Sequence, residues 1–151
     1  MQTAKQFSVR LVNKPGRLSS VLSALSKEKV DLVALSVMDA GDRSTLRFVP
    51  DDPALARSAL ETLQTEFETA DVLVTEISGR NGAFRHICER LANEHLNVDY
   101  AYGSCSHFGG RGQSCAVVKV NDLAKAQRVL SEARSRNGRS KSVGRRPLQA
   151  R

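Results

Sequence analysis

Phe7, Val9 and Leu11 alternate with polar neighbours, and this period of two predicts a strand over 6–12. The spacing then changes. Leu18, Val21, Leu22 and Leu25 recur three and four apart, which predicts a helix over 16–28 with one apolar stripe. A strand rich in Val and Leu follows at 30–38, then a turn at 40–42 and its hairpin partner at 44–49. Ala56, Ala59, Leu60, Leu63 and Phe67 fall on one face of a helix predicted over 53–67, and a short strand near 67–70 closes the set.

The same pattern returns 66 residues later. With Gly16 placed over Gly82, Leu18 meets Phe84, Val21 meets Ile87, Leu22 meets Cys88 and Leu25 meets Leu91. Val30 and Leu32 meet Leu96 and Val98. Residues 51–63 match 121–133 at an offset of 70, the extra four residues lying in the Gly-rich connection around Gly109, Gly110 and Gly112. The second copy therefore predicts a strand at 72–78, a helix at 83–94, a hairpin of 97–103 with 114–120, and a helix at 123–134. Its closing strand would fall at 139–143, where "RSKSV" is a poor strand sequence.

The order β-α-β-β-α-β, twice, predicts an α+β fold of two ferredoxin-like units, each an antiparallel sheet with helices on one face. The expected boundaries are 1–71 for the first unit and 72–133 for the second, with its last strand extending to 143. Residues 134–151 form a basic C-terminal tail. A unit of about 70 residues builds a small core, so the two copies are expected to share apolar surface.

Charge sharpens this division. The chain of 151 residues carries a formal charge of +7, yet the tail from Arg134 holds seven bases and no acid. Without it, 16 bases face 16 acids, so the basic character belongs to the tail. A solvated, flexible terminus accounts for such a segment; contact with nucleic acid is the alternative. With 40% apolar residues the chain can fold, and no run approaches a membrane span. No secretory leader is apparent, so a cytoplasmic protein with no membrane partner is expected, and Cys88, Cys105 and Cys115 are expected as free thiols.

The stretch "VNKPGRL" joins the first strand to the first helix. Pro15 has a fixed φ that suits a helix entry, and Gly16 has no β-carbon, so backbone or ligand can come close. The first amides of the helix favour an anion. Asn13 both donates and accepts, and Asp31 opens the next strand, expected at the same end of the sheet. Together these groups suit a zwitterion. The turn alone is accounted for by geometry, with Asn13 as a helix cap.

The run "SVRLVNKPGRLSSVLSALSKEKVDLVALSV" resembles the ACT domain, a small ligand-binding regulatory module, through its "N-x-P-G-x-L" turn, apolar helix and "V-D-L" strand opening. The second copy, with "GRNGAF" and "LNVDYAYG", resembles the partner domain of tandem ACT proteins; the resemblance covers roughly 5–133. It implies a free amino acid bound where two ACT units meet. The turn of one unit and the start of the second strand of its neighbour would grip the ligand. The residues implied are Asn13, Lys14, Pro15, Gly16, Arg17, Leu18, Asp31 and Leu32 in the first copy. In the second they are Arg80, Asn81, Gly82, Ala83, Phe84, Asn97 and Val98. Gly79 and Asn81 replace the asparagine and proline of the first turn, so the two sites are not expected to be equivalent.

Other constellations carry less. His86, Cys88, Cys105, His107 and Cys115 lack a second tight ligand pair, so no metal is expected. "HFGGRGQS" at 107–114 opens no helix and is not a phosphate loop; it could serve as a lid. Tyr100 and Tyr102 share one strand face, as in sheets that stack RNA bases, but packing against the neighbouring unit serves as well. No nucleophile-base-acid set can be assembled. The expectation is a non-catalytic amino-acid sensor without cofactor, as a homodimer or as the regulatory subunit of an amino-acid biosynthetic enzyme. Nucleic-acid binding through the tail is the remaining alternative.

Overall fold

A computed structural model describes residues 1–77, 82–106 and 113–139. The order is β1 (Gln2–Val12), α1 (Arg17–Lys27), β2 (Leu32–Ala40), β3 (Arg43–Pro50), α2 (Pro53–Thr62), β4 (Phe67–Glu76), α3 (Ala83–Asn93), β5 (Val98–Ser106), β6 (Gln113–Val120) and α4 (Leu123–Arg139). All six strands form one antiparallel sheet in the order β2-β3-β1-β4-β6-β5.

The centre of the sheet departs from the sequence expectation. The segments 67–70 and 72–78, read as two strands, are one strand of ten residues, and the expected boundary at 71/72 falls inside it. β4 pairs with β1 over Phe67–Val74 and with β6 over Leu73–Glu76. The 66-residue offset carries the pair Phe7↔Thr69 onto Leu73↔Thr3, which is itself a pair in the same ladder. The register therefore obeys the internal repeat as a pseudo-twofold between β1 and β4. Each of these strands occupies the closing-strand position of the other unit. The first copy thus has its fourth strand, and the start of β1 fills that place for the second. The strand expected at 139–143 does not begin at 139, because α4 runs to Arg139; the rest of that segment lies outside the described residues. Residues 134–139, expected in the tail, are helical.

Helix α2 is also shorter than its apolar pattern. It ends at Thr62, Leu63 is exposed and Gln64 takes a positive φ of 52°. Phe67 instead begins β4 and packs 5.4 Å from the ring of Phe7, which also stacks on Phe48 at 5.5 Å. The start of α2 follows its sequence: Asp52 accepts from the amides of Ala54 and Leu55, with Pro53 in the first turn.

Two apolar clusters lie between the helices and the sheet. Phe7, Val9, Leu11, Leu46 and Phe48 meet Val21, Leu25, Ala56, Ala59 and Leu60 under α1 and α2. Leu73, Ala116, Val118 and Val120 meet Leu91, Ala126 and Leu130 under α3 and α4. Strand alternation and the β1–β4 register put both clusters on the same face of the sheet. The other face is not flat and open. The edge strands β2 and β5 approach each other, so the sheet curls over a third cluster of Ala34, Val49, Val72, Val74, Cys115 and Val117. Accumulated strand twist brings such edges round. Gln6, fully buried on that face, donates to the Tyr100 hydroxyl at 2.6 Å and accepts from the Tyr102 hydroxyl at 3.0 Å. Both tyrosines therefore join β5 to β1. Among the described residues, no helix is long and apolar enough to cross a membrane.

Candidate functional site

The Pro-Gly pair forms a reverse turn before the helix. The Arg17 amide donates to the Lys14 carbonyl at 3.3 Å, and Gly16 has φ 85° and ψ −15°. These are the features of a type II turn, with proline second and a left-handed residue third. Nothing lies within 4 Å of a β-carbon built on Gly16, so glycine is needed here for its backbone angle and not for space. Pro15 stands in the turn, before the first helical residue. Asn13 does not cap the helix: its side-chain amide points to the Gly41 carbonyl at 3.5 Å, and its backbone amide donates to Asp42 at 2.9 Å. The turn is thus tied to the β2–β3 hairpin.

This tie identifies the neighbours of the turn. Asn13, Lys14, Arg17 and Leu18 line an open cleft of about 360 Å3 together with Leu11, Val12, Val37, Asp39 and Ser44. Lys14, Arg17 and the entry of α1 present positive charge, Asp39 presents a carboxylate, and Leu11, Leu18 and Val37 give an apolar wall. The Asp39 carboxylate also accepts from the Gly41 amide at 3.0 Å, which positions it beside the hairpin turn.

Asp31 is not at this end of the sheet. β1 and β2 both pair antiparallel with β3, so they run in the same direction. The end of β2 therefore lies beside the end of β1, and the start of β2 lies at the opposite edge, where Leu32 faces Pro50. There the Asp31 amide donates to the Asp51 carboxylate at 2.9 Å and its carbonyl accepts from the Asp51 amide at 2.9 Å. Within one unit Asp31 is therefore remote from the turn, contrary to the expectation that both lie at the same end of the sheet, and Asp39 stands there instead. A crossover helix makes consecutive strands parallel, so an acid of β2 beside the turn must come from the far end of that strand.

In the second copy, Gly82 has φ 84° and ψ 6°, almost the values of Gly16, and precedes α3 with Ala83 and Phe84 in its first turn. Arg80 and Asn81 lie outside the described residues. Asn97 and Val98 sit at the start of β5, at the opposite end of the sheet from α3 entry, as Asp31 does from α1 entry. The amide of Asn97 donates to the Asn121 side chain at 3.0 Å, repeating the Asp31–Asp51 bond.

Of the candidate metal ligands, His86 is exposed near Glu89 at 3.4 Å, Cys88 is half-buried and Cys115 is buried in the third cluster. His107 and the side chain of Cys105 lie outside the described residues.

The family model described as an ACT domain pair matches residues 2–137. Among solved structures, protein BT0572 from Bacteroides thetaiotaomicron matches with a TM-score of 0.78 and 29% identity, over 87% of this chain and 89% of that one. The regulatory subunit of aspartate kinase from Thermus thermophilus matches with a TM-score of 0.62 and 13% identity, over 88% and 93%. The corresponding subunit from Thermus flavus gives 0.61 and 15%, with the same coverage. No curated protein matches the sequence.

Proposed function

This chain belongs to the ACT domain pair family, and from that premise we propose that it is a non-catalytic regulatory protein that binds a free amino acid. The observation that carries the reading is the cleft at the first turn. A zwitterion offers a carboxylate, an ammonium and a side chain. Lys14, Arg17 and the α1 amides suit the first, Asp39 the second, and the Leu11–Leu18–Val37 wall the third. Asn13 supplies a hydrogen-bonding group between the two charges. The ligand would tie the turn to the hairpin and so favour one arrangement of the first unit.

Asp31 and Leu32 reach such a cleft only from a second copy. If two β2 edges pair antiparallel, the start of one β2 lies beside the end of the other. The end of β2 supports assembly there: Val37 is 45% exposed and Met38 54%. A homodimer through this edge would therefore bring Asp31 into the partner's cleft. By sequence, Arg80, Asn81, Gly82, Ala83 and Phe84 would line a second and chemically altered site, to which Asn97 and Val98 of a neighbouring unit would contribute.

The test is the melting temperature against a panel of free amino acids. One ligand at about 100 times its dissociation constant stabilises by about 2.7 kcal/mol, several degrees for a chain of this size. A selective rise supports the sensor. A flat panel overturns amino-acid binding and leaves a regulatory subunit whose input is an enzyme partner. The folds of the two aspartate kinase regulatory subunits favour that second reading, and co-purification with a larger catalytic chain would establish it.

A further inference from the structure

The curled face of the sheet carries a second and larger cleft, of about 740 Å3, on the opposite side of the β1–β3 ladder from the turn. Its charge is unusual for a sheet surface. Arg10 on β1 stands opposite Thr45 on β3, so Arg43 and Arg47 are its two diagonal neighbours on the same face. Diagonal neighbours in an antiparallel pair lie within about 7–8 Å, and like charges at such positions repel. Glu66 and Glu68 line the same cleft and offset this in part, leaving three cations against two carboxylates. Arg10 meets Glu68 at 4.0 Å, with both side chains more than 70% exposed. Arg43 and Arg47 make no ion pair among the described residues.

Arg47 is nonetheless held in place. Its guanidinium lies 4.4 Å above the ring of Tyr100 and donates to the Met38 sulfur at 3.4 Å. A guanidinium held this way beside the cleft loses little freedom when it engages an anion. Ser8 and Thr45, which also line the cleft, add hydroxyl donors beside the three arginines.

We propose that the cleft formed by Arg10, Arg43 and Arg47 over the Tyr100 ring binds a small phosphate-bearing anion. Guanidinium forks match phosphate oxygens two at a time, so one dianion relieves the repulsion among three arginines. Tyr100 carries Arg47 on one face, so that face does not stack a nucleobase. The phosphate, supplied as inorganic phosphate or as a phosphate ester, is therefore the recognised group. Tyr100 belongs to the second unit and the arginines to the first. The anion would sit at their seam, back to back with the turn cleft: Arg43 and Thr45 face it while the intervening Ser44 faces the turn.

The test is calorimetric titration of the full chain at physiological salt with inorganic phosphate and, separately, with ATP. The variants are Arg10→Gln with Arg43→Gln, and Arg145→Gln with Arg146→Gln in the basic tail. Arg10 and Arg43 do not line the proposed amino-acid cleft and are exposed, so folding is expected to persist and is checked by the unfolding midpoint. Saturable binding of either probe is expected at millimolar concentration or below. The strand variant should weaken it at least about tenfold and the tail variant should leave it unchanged. Binding of phosphate alone assigns the free ion as the source; tighter binding of ATP assigns an ester. The proposal is overturned if neither probe binds, if the strand variant binds as tightly as the parent, or if the tail variant loses binding equally. None of these outcomes bears on the amino-acid panel.

Discussion

The first strand-to-helix turn reads Asn13-Lys14-Pro15-Gly16 and the second Gly79-Arg80-Asn81-Gly82. Their last residues share a backbone conformation, with φ 85° and 84°. The agreement continues wherever geometry is at stake. A bulge falls between Leu32 and Ala34 in β2 and between Val98 and Tyr100 in β5, again 66 residues apart. Asp51 and Asn121 accept from the amides that open those strands, and Asp52 and Asp122 accept from the first turns of α2 and α4. At the turn cleft the agreement stops. The position of Asp39, paired with Ser44, is taken by Cys105, paired with Ser114. The two halves have thus kept the groups that hold the backbone and parted in the groups that could hold a ligand. One strand, β4, belongs to both.

That shared strand gives the largest expected effect. Phe67 of β4 packs in the first cluster and Leu73, six residues on, in the second. Phe7→Ala removes a ring that touches Phe48 and Phe67 and is expected to cost about 3–5 kcal/mol; Leu91→Ala in the second cluster is expected to cost about 2–5 kcal/mol. Either loss should appear in denaturant unfolding as an earlier midpoint of one transition. Two separate transitions in Phe7→Ala would show that the halves fold independently despite β4.

Asp39→Asn is the next test and bears on the divergence itself. It keeps the size of the side chain and its bond to the Gly41 amide while removing the charge. Affinity for the amino acid found in the panel is expected to fall about tenfold to a hundredfold, since a hydrogen bond to a charged group contributes about 1.5–3 kcal/mol. Asp31→Asn sharpens the result. An equal loss there means that the ligand lies between two copies; no loss places it within one.

Much of this comparison was legible in the sequence. The apolar periods mark the helices and hairpins, and the 66-residue repeat shows in the apolar matches that follow from placing Gly16 over Gly82. Three features were not, each for a physical reason. The end of α2 carries no glycine or proline, and Gln64 takes the left-handed conformation without the residue type that usually marks it. The continuity of β4 passes through Thr69 and Asp71, polar positions that read as a boundary; Asp71 in fact pairs with Lys5 across the ladder at 2.6 Å. The curl that brings β5 over β1 depends on twist summed across six strands, which no local pattern encodes. Strand direction follows the same rule: a crossover makes β1 and β2 parallel, so Asp31 at the start of β2 lies at the other end of the sheet from the turn.

Gly16→Ala and Gly82→Ala test the part of the comparison expected to hold. Both positions demand a positive φ, which costs a residue with a β-carbon about 1–2 kcal/mol. The surroundings add little. An added methyl meets nothing within 4 Å at Gly16, and at Gly82 only the flexible Arg85 side chain, whose Nε is 3.5 Å away. The two variants should therefore lose the same stability in denaturant unfolding, although the side chains of the two turns differ. A clearly larger loss at either would mean that the turns differ in packing as well as in chemistry.

The smallest effect concerns the seam and appears only at alkaline pH. Burial pushes the Tyr102 phenol well above its ordinary value, with the neighbouring Tyr100 adding to the shift and Arg47 opposing it. A raised folded value means that the folded chain keeps this proton where the unfolded chain releases it, near pH 10. Below about pH 9 both states hold the proton and stability does not depend on the group. Above that, stability falls as pH rises, until the folded phenol itself ionises. Solvent reaches part of this side chain, so the slope should stay under about 1 kcal/mol per pH unit. Tyr102→Phe deletes the titrating group together with its bond to Gln6. It should be less stable than the parent at neutral pH and lose less on going to pH 11. Equal losses in the two chains would mean that Tyr102 is not held at the seam, and that β5 closes over β1 more loosely than the Gln6 bonds indicate.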